Sequence, residues 1–71
     1  MFKKRREAKI RKAELSRANA ELDQIRSDLN RAWSIFNNTS DPSLTDACIF
    51  EINALRAKYD HVLKAIRSYF L

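Results

Sequence analysis

The chain has 71 residues, enough for one small domain, with 14 Lys+Arg against 9 Asp+Glu, a formal net charge of +5, one His, one Cys, one Pro and no Gly. Without glycine the phosphate-cradling loops of the P-loop and dinucleotide-binding types cannot be written, and tight β-hairpin turns lose their preferred residue. A lone cysteine excludes an internal disulfide or a Cys-rich zinc site, and a lone histidine excludes H-E-x-x-H and multi-His metal cages.

The basicity is concentrated at the start. Residues 1–12 hold Lys3, Lys4, Arg5, Arg6, Lys9, Arg11 and Lys12 against Glu7 alone, while residues 13–71 are near neutral. This segment reads as a basic N-terminal extension running into the first helix, ahead of a hairpin body over 13–71. Three roles compete for it. It can hold nucleic acid through phosphate contacts, with steep salt dependence and little sequence reading. It can attract an anionic membrane surface, with Phe2 as a shallow insertion. It can also be a solvated end, as terminal charge runs commonly are. No apolar region of about 7–15 residues follows the basic start, as a signal peptide requires, and no stretch approaches the roughly 18–20 apolar residues that span a bilayer. The expectation is a cytoplasmic protein.

Helix 1 is expected over about 5–37. Leu15, Ala18, Leu22, Ile25, Leu29, Ala32 and Phe36 alternate at spacings of three and four and form one helical seam, widened by Trp33 near its end. Glu7–Arg11, Glu14–Arg17, Asp23–Arg26 and Asp28–Arg31 sit at helical pair spacing on its outer faces, as does Asp60–Lys64 further on.

The only cluster of helix breakers is Asn37-Asn38-Thr39-Ser40-Asp41-Pro42-Ser43, with the turn expected at 38–41. Asp41 before Pro42 is a helix start with a mechanism. The carboxylate can accept from free N–H groups of the next turn, and proline lacks a donor that would have no partner there. Ser43 with Asp46 is the alternative start, two residues on. Helix 2 follows over about 42–69, with Cys48, Ile52, Leu55, Tyr59, Val62, Ile66 and Tyr69 repeating the alternation and Ile49, Leu63 and Phe70 broadening it.

The fold expected is all-α: a long antiparallel two-helix hairpin, coiled-coil-like, with arms of roughly 50 and 42 Å. Folding about the turn places Trp33 and Phe36 near Leu44 and Cys48, Leu22 near Leu55 and Tyr59, and Leu15 near Val62 and Ile66. Two helices alone leave the outer half of each seam wet, so burial is thin for the chain entropy it must offset. Phe50 lies off the helix-2 seam on a track with Ala47, Ala54, Ala57 and Ala65, a surface suited to close approach by another helix. The plain alternative is that alanine is the best helix former and Phe50 a single exposed aromatic. Phe50, Ala47, Ala54, Ala57 and Trp33 are therefore the candidate protein interface, and pairing into a four-helix bundle would use it.

No residue set reads as catalytic. Cys48 falls on the seam, where a free thiol behaves as a small hydrophobe, and no base accompanies it. His61 is thirteen residues further on, beside the seam. The carboxylates Asp23, Asp28, Asp46 and Glu51 have basic neighbours and are explained as solvated charge. Tyr59 and Tyr69 follow core spacing, with hydroxyls reaching the hairpin's edge. No cofactor and no metal are expected.

The stretch Phe36-Asn37-Asn38-Thr39-Ser40-Asp41-Pro42-Ser43-Leu44, followed by Ile49-Phe50-Glu51-Ile52-Asn53-Ala54, Tyr59 and Leu63, resembles the YaaL-like family of small bacterial proteins. The likeness covers about residues 18–67. Its specific part is a set of caps and packing residues: Asp-Pro, then Ile-aromatic-Glu-Ile, then Tyr. Ala47 and Cys48 depart from the larger residues expected in relatives. The resemblance implies a small cytoplasmic helical protein of unknown function and carries over no catalytic residue. The combined reading is a non-enzymatic helical binding or assembly module acting through self-association or a partner protein. Accessory nucleic-acid binding through the basic end is the alternative, and attachment to an anionic membrane the second.

Overall fold

The breakers at 37–43 reverse the chain once. The computed structural model describes the backbone of residues 2–69 and the side chains of residues 11–69. Two helices, α1 (Phe2–Asn38) and α2 (Pro42–Ser68), pack against each other, and the whole measures 61 × 16 × 13 Å. The all-α hairpin is therefore as expected. α1 starts three residues earlier than the pattern indicated, and the non-helical connection is Thr39–Asp41.

Of the two candidate starts for α2, Asp41 is the N-cap. Its backbone is extended (φ −80°, ψ 117°), and its Oδ1 accepts the Ser43 N–H at 2.9 Å. Its carbonyl accepts the Thr45 N–H at 2.9 Å and the Thr45 hydroxyl at 3.0 Å. Thr39 Oγ1 accepts the Asp41 N–H at 3.1 Å, and Asn38 Nδ2 donates to the Ser34 carbonyl at 2.7 Å. Side chains thus satisfy backbone groups that helix ends leave without partners. No described residue takes a positive φ, so this reversal has no need of glycine.

The core is narrow. Leu22, Ile25 and Val62 form its buried centre, with Ala18, Leu29, Leu55, Tyr59, Leu63 and Ile66 packed on it half-buried. Ala32, Cys48 and Ile52 are buried nearer the turn. Among the described residues, all six that are buried belong to the two seams read from the spacing.

The register along those seams differs from the estimate made by folding about the turn. Arg26 Nη2 donates to Tyr59 Oη at 3.1 Å, Tyr69 Oη donates to Glu14 Oε2 at 2.6 Å, and Trp33 and Phe36 share a groove with Ile49 and Ile52. Each α1 residue therefore meets α2 about one turn later than expected, so that Leu22 shares its cluster with Val62. Carried to the end of the hairpin, this register puts Leu44 level with the connection itself. Leu44 has no helix opposite it and stays exposed. At the other end Glu14 is met by Tyr69, the C-cap of α2 and the last described residue. α1 continues beyond it as helix toward Phe2, with no described α2 residue alongside.

Among the described residues, Asp23–Arg26 and Asp28–Arg31 close as ion pairs at 4.0 and 3.9 Å. Glu14–Arg17 and Asp60–Lys64 do not. Glu14 instead takes the Tyr69 hydroxyl. Glu7–Arg11 involves a side chain outside the described residues.

Candidate functional site

α2 needs only one stripe to pack on α1, which leaves its other faces to solvent. Phe50 lies on the far side of α2 from the buried Ile52 and is 76% exposed. Ala47, Ala54 and Ala57 are exposed with it, as the track of alanines suggested. Ile49, on the flank between Phe50 and the core, is exposed too, and so are Leu44 and Ile35. Trp33 only widens the seam: it is 45% exposed, with its ring edge-on to Phe36 at 5.6 Å and 87°. The turn end of the hairpin thus shows water a set of large apolar groups from both helices.

Two shallow grooves run along one side. One, of about 110 Å³, is lined by Trp33, Phe36, Ile49, Ile52, Asn53 and Arg56; the other, of about 280 Å³, by Arg26, Leu29, Arg56, Tyr59 and Asp60. Arg56 lines both, so they adjoin, the one nearer the turn apolar and the other charged, a cleft in two halves. In the charged half the Arg26 guanidinium lies 5.7 Å from the Tyr59 ring centre, over the ring, as well as bonding its hydroxyl. The hydrogen bond to Tyr59 raises the Arg26 pKa above its ordinary value. Both tyrosine hydroxyls reach the hairpin's edge, as the spacing indicated. Tyr69, donating to Glu14, is likewise raised, because ionisation would remove the shared proton and set two negative charges together.

The cysteine and histidine do not meet. Cys48 is a buried free thiol, 2% exposed, while His61 is exposed about 20 Å further along α2 by helical rise. Among the described residues no three His, Cys, Asp or Glu side chains gather as metal ligands, and no helix is long and apolar enough to cross a membrane. The side chains of Lys3, Lys4, Arg5, Arg6 and Lys9 lie outside the described residues. Arg11 and Lys12 are exposed, on the stretch of α1 that precedes Glu14.

Sequence reasoning missed two features. The exposure of Ile35 could have been read from its place off the seam. The Arg26–Tyr59–Arg56 cleft could not, since it depends on the register between the helices.

Comparison with curated proteins and with solved structures gave no match. A family model does match, and it spans residues 1–70. Nearly the whole chain is covered, basic segment and hairpin together, and the chain belongs to the family described as protein of unknown function (DUF2508).

Proposed function

We propose that this chain is a non-enzymatic cytoplasmic assembly module that self-associates, two hairpins completing a coiled-coil-like four-helix bundle, and that its family is the YaaL-like one its turn residues resemble. One observation carries the reading: among the described residues the hairpin buries six hydrophobic ones and leaves five large ones exposed, Phe50 foremost. A helix of another protein seated on the same face is the alternative occupant.

Sedimentation equilibrium on the full chain tests the reading. A mass twice the 8.3 kDa of the chain supports self-association, and a monomer at every concentration overturns it.

A second reading concerns the basic segment, favoured by the exposure of Arg11 and Lys12 on helix that has no described α2 residue beside it. Nucleic acid held there would be released steeply by salt, and deleting residues 1–12 would abolish binding. An anionic vesicle would be lost equally on that deletion and weakened by Phe2→Ser.

A further inference from the structure

The exposed face of α2 carries a second seam. Ser43, Ala47, Phe50, Ala54, Ala57, His61, Lys64 and Ser68 recur at spacings of four and three, and every one is exposed. Its middle members, Ala47, Phe50, Ala54 and Ala57, are apolar over about three turns, the residue type such spacing needs for a partner helix. The inner seam of α2 is used by α1, so this outer one is free for another helix.

We infer that a second copy of this chain occupies it, α2 against α2 and antiparallel, with the two-fold axis at Ala54. The inference rests on the self-association proposed above and adds its face, direction and register. Because this face lies opposite the one α1 covers, the four helices stand in a row, with the two copies of α2 in the middle, rather than around one shared core. Side-chain size argues for the direction. With the axis at Ala54, Phe50 lies over the partner's Ala57 and Ala47 over the partner's His61, so each large group meets a small one. Ser43 lies level with the partner's Lys64. By symmetry each of these layers occurs twice. A parallel pairing would instead oppose Phe50 to Phe50, His61 to His61 and Lys64 to Lys64, stacking large on large and like charge on like.

The flanking charges favour the same choice. Glu51 and Lys58 share one edge of the outer seam, seven residues apart. Antiparallel pairing brings Glu51 level with the partner's Lys58, giving two ion pairs. On the other edge Asp46 comes level with the partner's Asp60, and the partner's Lys64, one turn from its Asp60, supplies the countercharge. Parallel pairing would set Asp46 beside the partner's Glu51. Interhelical charge of this kind fixes orientation more than affinity.

One added cysteine at a time tests the geometry in the full chain, because positions 47, 54 and 61 are exposed and the native Cys48 is buried. The unsubstituted chain serves as the control, and helicity is checked for each variant. Under oxidation, Ala54→Cys is expected to link to itself across the axis. Ala47→Cys and His61→Cys are expected to link to each other when mixed, and poorly to themselves. Phe50→Glu, which leaves the inner core untouched, is expected to weaken self-association by roughly 30-fold or more.

Self-linking of Ala47→Cys as fast as Ala54→Cys would show a parallel pair and overturn the inference, while the assembly reading stood. A dimer whose mass survives Phe50→Glu unchanged would do the same by placing the interface elsewhere. A monomeric mass for the unsubstituted chain would remove both.

Discussion

Ile25 and Ile35 are the same residue type on the same helix, ten positions apart, and the hairpin treats them differently. Ile25 is 4% exposed at the centre of the core, and Ile35 is 38% exposed off the seam. Ile25→Ala removes three carbons, worth about 0.8 kcal/mol each by transfer, and adds a cavity because Leu22 and Val62 cannot fully close in. The expected loss is about 3 kcal/mol. Ile35→Ala should cost less than about 1 kcal/mol, since much of that side chain is wet already. A chain of this length is stable by only about 4–11 kcal/mol, with a urea slope near 1 kcal/mol per molar. Ile25→Ala should therefore lower the urea midpoint by about 2–3 M, measured by circular dichroism at one fixed protein concentration. Ile35→Ala should barely move it. Equal losses at the two positions would refute the assignment of the buried face.

Removing the cap of α2 with Asp41→Ala should cost about 1 kcal/mol in the same assay, because the Ser43 N–H loses its acceptor. The Tyr69–Glu14 contact gives a pH dependence of definite sign. A raised tyrosine pKa contributes stability that is fully present below the ordinary value of 10.0 and is lost as pH rises through the raised one. Denaturation followed up through that range should show a loss that Tyr69→Phe lacks. Cys48, buried in the hairpin, should react with a thiol reagent on the order of a thousandfold more slowly than in the urea-unfolded chain. Labelling at the unfolded rate would mean that the turn end is open.

The elements, the cap and the core residues were legible because each rests on local rules. Asp41 before Pro42 names a helix start, and the three-four spacing of Leu22, Ile25, Ile52 and Val62 names the buried stripe. Phe50 was legible by contrast, as a large aromatic that the inner stripe has no place for. The register was not legible. Counting back from the turn assumes that the helices lie level at its midpoint, and the connection sets them about one turn out of step. Every cross-helix pair inherits that offset, including Arg26–Tyr59 and the cleft they line. Trp33 shows the same limit: its spacing allowed a place at the seam, and the depth to which it is buried depends on what α2 presents there. The outer seam of α2 is written in the sequence, but its meaning follows only once the inner seam is known to be filled by α1.

The central claim, that a second copy completes the hairpin, is tested most directly by repeating the urea unfolding over a hundredfold range of protein concentration. Unfolding coupled to dissociation must become harder as the chain is concentrated. The account predicts a gain of about 1.4 kcal/mol for each tenfold increase, with the midpoint rising in step. A midpoint that stays fixed across the range would mean that the two helices stand alone, and would contradict it.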